Sequence, residues 1–510
     1  MKKILSLLLI VLMAASCELT KMPQGSISSE GALTSVDDAL KFRTDMYLDI
    51  RDYLSSGYPI YIQELMSDSF HASSMFGNRD GEYHTWSMVS TMGYVESIWS
   101  NSYYNVTLAN YLEAGIAKLM ENPELSADDK AQLEVILGEA AFLKAFSMFK
   151  CVQLYCKPYN ASSAATDLGL MLINEPVTDP GNITSYVGRS SLADTYKYIE
   201  DNLEVAATKL ASVAGAEGSI YITKDAVTAM KARVALEKGD FATAITNATE
   251  LIDGGKYPLV DNIEDLEGLW LKDSGKECIV QYWAGYTEGS LPNSNSRGYI
   301  GYNASGIFVP DYIPEQWVVD TYNEYPEDIR FKSWFKQTDV TYGAVTGNVY
   351  VCFKFKGNDE FDKAGTGYSE ISRVKAFRIA EQYLIAAEAY ARRGQAGDAD
   401  KACEYLNVLR AKRIPDYAEK TYTGEALLEE VKKERAKELF GEGFRLNDLK
   451  RWGKGLTRSN AQDINIITMA GSTSYELLNI PASDYRWLWP VPQAEIDANP
   501  QIKDQQNDGY

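Results

Sequence analysis

The sequence is poor in histidine, since His71 and His84 are the only two among its 510 residues. A zinc site or a nucleophile activated by histidine would therefore have to use one of them. Basic residues are also few: 50 Lys and Arg stand against 71 Asp and Glu, and the net charge is -21. This excess of negative charge disfavours nucleic acid and acidic lipid surfaces as partners, and it suits a neutral ligand better.

Cysteine is scarce as well, with six in the chain. Cys17 belongs to the N-terminal signal described next, and the other five show no repeated spacing: Cys151, Cys156, Cys278, Cys352 and Cys403. An odd number without a pattern argues against a disulfide framework, even in an oxidising compartment. Cys403 lies on the apolar face of a predicted helix and is expected to be a small buried side chain. The sequence leaves open whether Cys151 and Cys156 are bonded.

Long hydrophobic runs are confined to the N-terminus. Two lysines precede an apolar run over residues 4–13, and small residues then lead into Cys17. The run is shorter than the roughly 20 apolar residues of a transmembrane helix, and the pattern is typical of an export signal. It resembles the lipobox of bacterial lipoproteins, in which Cys17 is acylated and becomes the mature N-terminus; an ordinary signal peptide with a chance cysteine is the alternative. We predict a signal peptide over 1–16, a tether over 17–34 and a soluble body held at a membrane by lipid.

Helical signals dominate most of the remaining chain. Three capping patterns mark helix starts: Ser35 with Asp38, Ser126 with Asp129, and Ser191 with Asp194. Residues 131–149 carry a wide apolar stripe with very few helix breakers, which predicts a long helix. Between residues 277 and 372 the helical periodicity is lost, apart from a short predicted helix over 315–322. Such a loop-rich stretch is where functional loops are expected.

Two segments resemble the helical hairpins of tetratricopeptide repeats. Residues 226–252 read as an alanine-rich helix that ends at Gly239, followed by a second helix with Ala244 on its inner face. Residues 377–413 repeat this pattern, with a break at Gly394. Small residues on the facing sides let paired helices approach closely, which favours repeat hairpins. Two unrelated helical pairs with glycine at their turns are the alternative.

The C-terminal third contains several short sequence motifs. They are Phe377 to Leu384 with Ala387-Glu388-Ala389, then Glu434-Arg435, Glu438-Leu439, Glu442 to Arg445 and Asp448 to Trp452, and finally Pro490-Val491-Pro492 with the ending Gln506 to Tyr510. Further motifs of this kind lie upstream: Trp99 with Tyr103-Tyr104, Arg189-Ser190-Ser191 and Asp328-Ile329-Arg330. In these motifs the chain resembles the SusD/RagB family of outer-membrane nutrient-binding lipoproteins. The resemblance covers nearly the whole mature chain.

The resemblance implies a SusD-like fold that is mostly α, with tetratricopeptide-like hairpins, a loop-rich insertion and an irregular C-terminal lobe. We expect an N-terminal helical region over 35–270 and a C-terminal region over 271–510. The resemblance further implies a surface lipoprotein that caps a SusC-like TonB-dependent transporter, captures polymeric nutrient, usually glycan, and is not an enzyme. The residues after Cys17, Glu18 to Lys21, lack the acidic cluster often seen in lipoproteins exported to the outer leaflet.

A charged string over residues 434–451 invites a catalytic interpretation. On the predicted helix, Arg435 and Glu438 share a face with leucine and valine side chains, so both lie within an apolar stripe. Charges buried in such a stripe need partners, because an isolated buried charge is very costly. We therefore predict a structural network in which these groups pair with one another: Arg435, Glu438, Glu442, Arg445 and Asp448.

The best candidates for ligand binding are aromatic side chains in loop-rich segments. One set combines rings with an amide and an arginine: Tyr282, Trp283, Tyr286, Asn295, Arg297, Tyr299 and Tyr302. A second set lies in the loop before the helix of Trp99, where the resembled family often contributes ligand contacts: Arg79, Asp80, Tyr83 and Trp86. Sugars present apolar C–H faces and a rim of hydroxyls, so they lie on Trp or Tyr while amides and Arg bind the rim. Burial in the core is the alternative for each ring, and it is the prediction for Trp317.

We therefore predict a surface glycan-binding lipoprotein that delivers polysaccharide or oligosaccharide to a SusC-like transporter at the outer membrane. We predict no enzymatic activity, no cofactor, no metal site and no nucleic-acid partner, and the sequence leaves open whether a calcium ion shapes a loop. The histidines lack metal-ligand spacing, nucleotide-binding motifs are missing, and the net negative charge disfavours nucleic acid. A family member that binds oligopeptides and a protein–protein scaffold built on the hairpins are the alternatives. A helical glycoside hydrolase comes third, and the identity of the glycan stays open.

Overall fold

The computed structural model describes residues 32–74, 76–176, 186–285, 298–303, 305–363, 365–458, 461–467 and 478–510. The predicted lipid anchor and part of the first predicted ligand set lie outside these residues: Cys17, Tyr286, Asn295 and Arg297. The signal peptide over 1–16 and most of the predicted tether lie outside them as well.

Helices of the N-terminal half begin at the predicted caps. The side chain of Ser35 accepts a hydrogen bond from the backbone N–H of Asp38 at 3.2 Å, and Ser126 and Ser191 cap their helices in the same way. These caps satisfy backbone donors that have no partner within the helix. The helices are α1 (Val36–Asp49), α2 (Tyr58–Met66), α3 (Gly81–His84), α4 (Gly93–Met120), α5 (Ala127–Tyr155) and α6 (Leu192–Lys209). A π-helical segment, Ile50–Ser55, continues α1.

Both predicted hairpins are present. The first consists of α7 (Lys224–Lys238) and α8 (Phe241–Asp253), and the second of α12 (Ile379–Arg393) and α13 (Asp398–Arg413). Gly239 ends α7 with φ at 81°, a left-handed conformation that suits glycine. The turn of the second hairpin uses the same conformation at Gly394 and Gly397. The predicted breaks are therefore the places where the chain reverses.

The two hairpins pack against each other. Their shared core consists mainly of alanines: Ala232, Ala235, Ala244, Ala248, Ala386, Ala387, Ala389 and Ala402. Cys403 joins this core as a buried side chain, as predicted. Helix α8 contacts α12, so the helical array runs from α4 through α5, α6, α7 and α8 to α12, and then to α13 and α14 (Gly424–Glu438). This mostly helical, repeat-like architecture confirms the predicted fold class.

The segment between α8 and α12 leaves the helical array and returns to it. It contains α9 (Ile263–Leu271), α10 (Gln316–Asp320) and α11 (Ile329–Trp334). Its strands are β2 (Cys278–Gln281), β3 (Tyr312–Pro314), β4 (Phe335–Tyr342), β5 (Val345–Cys352) and β6 (Lys375–Arg378). The short helix expected over 315–322 is α10, whereas the β4–β5 hairpin, paired from Phe335–Cys352 to Tyr342–Val345, was not predicted. Strand β2 pairs with β6, and β3 pairs with β1 (Phe70–Ala72), all antiparallel.

The C-terminal lobe consists of short elements, several of which contact N-terminal helices, as Glu495 does Trp99. These elements are α15 (Arg445–Arg451), the strand pair β7 (Leu456–Thr457) and β8 (Asn479–Ile480), and α16 (Gln493–Ala498). Two of the cysteines, Cys151 and Cys156, are free and buried. Trp317 is half-buried against the main core, and its indole N–H donates to the Asp68 carbonyl at 2.6 Å. Within the described ranges, no helix has both the length and the hydropathy to cross a membrane.

A buried ion-pair network surrounds Glu438 at the end of α14. Arg330, Arg378 and Arg413 all lie within 3.0 Å of its carboxylate. Burial alone would raise the pKa of Glu438, but Arg413, Arg378 and Arg330 lower it well below its usual range. The second carboxylate of the network, Glu434, contacts Arg330 at 2.7 Å in the same way.

The predicted network is therefore structural, but its pairing is only partly the one we expected. Arg435 does pair with Asp448, at 2.7 Å. Arg445 instead pairs with Asp68, and Glu442 pairs with Lys354 and Arg378. These partners come from remote segments of the chain, because the charged side chains on one helix face cannot all pair with one another.

Candidate functional site

A cleft of about 530 Å³ opens between α1, the loop before α7 and the residues that follow β2. Its lining is largely aromatic and includes one arginine: Thr44, Tyr47, Leu48, Arg51, Ile220, Tyr221, Tyr282 and Trp283. Most large apolar side chains of the chain are buried, but Tyr221 is 45% exposed and Trp283 is 39% exposed. Among the described residues, two of the four aromatic rings that line the cleft are therefore open to solvent, whereas the other two, those of Tyr47 and Tyr282, are buried.

One wall of the cleft is a single face of α1 and its π-helical continuation. Thr44, Tyr47, Leu48 and Arg51 follow one another at i, i+3, i+4 and i+7, the spacing of one helix face. The phenol oxygen of Tyr47 accepts a hydrogen bond from the Ile222 backbone N–H at 2.8 Å. This bond fixes the loop before α7 against α1.

The two buried tyrosines form the floor of the cleft. The rings of Tyr47 and Tyr282 lie 6.2 Å apart at 72°, an edge-to-face contact. Burial raises the pKa of both phenols, so both stay neutral. The Tyr282 hydroxyl is buried and has no hydrogen-bond partner among the residues that the structure describes. Buried polar atoms nearly always have a partner, so the hydroxyl next to the cleft has a hydrogen-bonding capacity that the described residues do not use.

Arginine side chains hold the two exposed rings. Arg43 lies over the Tyr221 ring at 3.8 Å and pairs with Glu139 at 2.6 Å. Arg373 lies over the Trp283 ring at 4.0 Å. Such cation–π contacts orient a ring that solvent would otherwise leave free.

A buried arginine fixes the backbone beneath the indole. Arg51 donates from Nη1 to the Trp283 carbonyl at 2.8 Å, while its Nε donates to Asp52, also at 2.8 Å. The open rings are therefore held by contacts on one side and accessible on the other. This arrangement can bind a flat apolar face, and the described residues that line the cleft include no nucleophile in contact with a base.

Of the predicted ligand residues that the structure describes, two line this cleft, Tyr282 and Trp283. The sequence reasoning missed Tyr47, Tyr221 and Arg51. Tyr47 and Arg51 carried a usable signal, since they share one helix face with a polar residue. Nothing local to Tyr221 distinguishes it from the other tyrosines.

Several predicted ligand residues lie in the core instead. Trp86 is fully buried, packs against Trp487 with ring centroids 4.6 Å apart, and donates its indole N–H to the Met66 carbonyl. Tyr83 is 4% exposed. Tyr299 is fully buried and stacks on Phe70 at 4.5 Å. No face of these rings is open to a ligand.

The other predicted residues within the described ranges, Arg79, Asp80 and Tyr302, lie away from the cleft lining. Arg79 is 57% exposed in its side chain and pairs with Asp311 at 2.6 Å. Asp80 has φ at 59°, the left-handed conformation, where it precedes α3. Tyr302 is half-buried, and its ring lies 4.5 Å from that of Tyr368. These residues do not line the aromatic cleft.

Family comparisons place this architecture among known proteins. Residues 282–510 match the family model described as the SusD family. Residues 38–236 match a second family model, described as "Starch-binding associating with outer membrane". The chain belongs to the SusD-like family. The two matches flank the segment that carries α8 and α9, and residues of the aromatic cleft fall within both.

Solved structures of SusD-like proteins share the fold. A SusD superfamily protein from Bacteroides thetaiotaomicron superposes with a TM-score of 0.77 at 24% identity, over 93% of this chain and 100% of its own. A SusD-like carbohydrate binding protein from Bacteroides vulgatus gives 0.73 at 18% identity, over 92% and 97%. A laminarin binding SusD-like protein gives 0.68 at 20% identity, over 94% and 100%. No curated protein sequence matches the chain.

The two histidines of this SusD-like chain are both buried. His71 lies 2.8 Å from Glu315 through Nδ1, and His84 lies 3.1 Å from the Leu65 carbonyl. Burial, together with Arg458, lowers the pKa of His84 well below its usual value. Across the described ranges, no cluster of three or more His, Cys, Asp or Glu side chains is arranged to hold a metal ion.

Proposed function

We propose that this SusD-like protein binds glycan in the aromatic cleft. The observation that carries the proposal is that Tyr221 and Trp283 expose their rings in one cleft. A pyranose ring offers an apolar face to such rings and carries hydroxyls that polar groups around the cleft can bind. The carbohydrate and laminarin binding of two structural relatives supports the same ligand class.

We propose further that the protein acts at the outer membrane, where a lipid on Cys17 anchors it and it passes glycan to a SusC-like TonB-dependent transporter without cleaving it. The outer-membrane association named in the second family description supports this place of action. Binding to single sites is weak, and several contacts along one polymer raise retention by avidity. The scarcity of groups for acid–base chemistry in the cleft agrees with a protein that holds its ligand unchanged.

Retardation in native gels that contain different polysaccharides tests glycan binding. The full chain, purified in detergent, is expected to be slowed by at least one polysaccharide. Trp283→Ala and Tyr221→Ala are expected to lose this retardation. Tyr485→Ala is the matched control, because Tyr485 is 46% exposed but lies outside the cleft.

Other outcomes of these experiments would contradict the proposal. Binding of a peptide mixture with no retardation by any glycan would assign the protein to peptide capture. Release of reducing ends from a retarded polysaccharide would make it an enzyme. Failure of any TonB-dependent transporter to co-purify from native membranes, or an unchanged membrane fraction for Cys17→Ala, would reject the proposed delivery and anchoring.

A further inference from the structure

A smaller cavity of about 60 Å³ lies beside the aromatic cleft, and Arg373 connects the two. Its guanidinium lies over the Trp283 ring in the cleft, and the same side chain lines the cavity. The charged groups of the lining are four cations and one carboxylate: Lys150, Arg233, Arg373, Lys375 and Glu442. The volume exceeds the roughly 10–15 Å³ that one water needs, so a small polar group can enter.

Three of these five charges are neutralised by close partners. Arg233 pairs with Glu381 at 2.6 Å, and Lys375 pairs with Asp273 at 2.6 Å. Glu442, the one carboxylate of the lining, is held by Lys354 at 2.7 Å and by Arg378. The charge of each of these three groups is already compensated by an ion-pair partner, so none of them needs a ligand of opposite charge.

The other two charges have no such partner. In the part of the chain that the structure describes, Lys150 makes neither a hydrogen bond nor an ion pair, and its ammonium lies 5.7 Å from the centre of the Phe146 ring. Arg373 donates from Nε to the Ala284 carbonyl at 3.3 Å, and among the described residues neither of its terminal amino groups has an acceptor. Burial, with the nearby Arg233, lowers the pKa of Lys150 to about 8.

Unsatisfied cationic donors that line one partly buried cavity call for an anionic acceptor. A partly buried charge without a counter-ion is unfavourable, and on a chain with a net charge of -21 the local excess of cations is not a general surface property. The two terminal amino groups of Arg373 can hold both oxygens of a carboxylate, and Lys150 can add a point charge. The fit is therefore to an oxyanion rather than to a neutral hydroxyl.

We propose that Lys150 and Arg373 bind the carboxylate of an acidic sugar residue, and that the glycan taken by the neighbouring cleft therefore contains uronic acid. This inference rests on the proposed glycan binding, because Arg373 contacts the cleft ring on which the sugar chain lies. It sharpens the ligand class from glycan in general to an acidic polysaccharide. It also explains why a strongly acidic protein keeps two unpaired cations next to its aromatic rings.

Isothermal titration calorimetry of the full chain in detergent tests the inference with two matched probes: an oligomer of galacturonic acid and the corresponding neutral oligomer of galactose. The acidic oligomer is expected to bind at least about tenfold more tightly at low salt, and added salt should reduce the difference. Lys150→Met should abolish most of the preference and leave the affinity for the neutral oligomer unchanged. Lys150→Arg should retain the preference.

A matched control separates this site from general charge effects. Lys336 also lies over aromatic rings, 5.2 Å from the centre of Phe353, and has no ion pair with any described residue, but it does not line the cavity. Lys336→Met should keep the full preference for the acidic oligomer. Equal melting temperatures of the variants and the wild-type protein will show that each is folded.

The outcomes distinguish this inference from the function on which it rests. If both oligomers bind equally and Lys150→Met changes neither, the uronic-acid assignment is wrong while glycan binding stands. If inorganic sulfate binds to the wild-type protein, is lost in Lys150→Met, and the two oligomers do not differ, the cavity takes a free anion and the assignment is again wrong. If no glycan of either kind binds, the proposed function itself fails.

Discussion

The network around Glu438 and the cleft around Trp283 both use arginine, but in opposite ways. In the network, Arg330, Arg378 and Arg413 converge on one carboxylate, and every guanidinium has acidic partners. Beside the cleft, Arg373 lies on the Trp283 ring, and its two terminal amino groups have no acceptor within the described part of the chain. Charged groups that are paired within the protein hold the fold together, whereas charged groups without such a partner are suited to bind a ligand.

The strongest test of this contrast removes the charge at the centre of the network. Glu438→Gln leaves three buried guanidinium groups without their common partner, so we expect a loss of about 3–5 kcal/mol in the free energy of unfolding. Urea denaturation followed by circular dichroism measures it. Glu404→Gln is the control, because Glu404 pairs with Lys401 on the surface and should change the value by less than about 1 kcal/mol. A small effect of Glu438→Gln would mean that the network is not needed for stability.

Glu64 is a buried carboxylate that is only partly stabilised by nearby positive charge, and so it lies between the fully paired Glu438 network and Arg373, which has no ion pair among the described residues. Glu64 on α2 accepts a hydrogen bond from the Gly443 backbone N–H at 2.7 Å, and burial raises its pKa to about 7 despite the nearby Lys354 and Arg445. Because the folded pKa lies above the unfolded value of about 4.3, this group destabilises the fold increasingly as pH rises from about 4.3 to 7.

Glu64→Gln should remove that penalty. We expect the variant to exceed the wild-type protein in free energy of unfolding by about 1–3 kcal/mol at pH 8, and the difference should vanish near pH 4. Denaturation curves at pH 4, 6 and 8 measure it. A difference that does not change with pH would show that Glu64 does not titrate in this range.

The cleft should respond in the opposite manner to the network. Trp283→Ala should lower glycan affinity by about tenfold, or about 1.4 kcal/mol, because an exposed ring supplies contact area without supporting the core. Its free energy of unfolding should change by less than about 1 kcal/mol. Calorimetry with the retarding glycan and urea denaturation provide the two values. A large loss of stability with unchanged affinity would place Trp283 with the structural residues.

The smallest expected effect concerns the other exposed ring. Tyr221→Phe keeps the ring under Arg43 and removes only the hydroxyl, so glycan affinity should change by less than about twofold. The same calorimetric titration measures it, with Tyr221→Ala for comparison. A loss as large as that of Tyr221→Ala would mean that the hydroxyl binds the ligand and that stacking is secondary.

Local signals predicted the scaffold well. The caps at Ser35, Ser126 and Ser191 and the reversals at Gly239 and Gly394 depend only on neighbouring residues, and the structure confirms them. The charged stripe on α14 was also readable, because the period of a helix fixes which side chains share a face. What the stripe could not reveal was its partners, since Arg330 and Arg378 come from segments 60 or more residues away.

The candidate site was predictable only in part, for the same reason. Tyr282 and Trp283 stood out because they lie in a loop-rich segment with polar neighbours, but Tyr47 contacts Tyr282 from 235 residues away, and Tyr221 contacts Tyr47 from 174 residues away. Trp86 and Tyr299 have the same kind of polar neighbours in sequence, yet tertiary packing covers them completely. Composition thus identifies rings that are suited to binding, whereas exposure depends on which remote segment covers each ring.

The contact between α8 and α12 has an evolutionary consequence. The chain leaves the stack of helices after Asp253 and rejoins it at Ile379, with the alanine core closed behind it. The entropic cost of such an excursion grows only with the logarithm of its length, about 0.6 kcal/mol for each doubling. Changes in the length of its exposed loops therefore cost little free energy, as long as Arg330 and Arg378, which lie within the excursion and pair with Glu438, are kept. Related proteins can therefore differ in ligand preference through these loops while they keep the same helical repeat core.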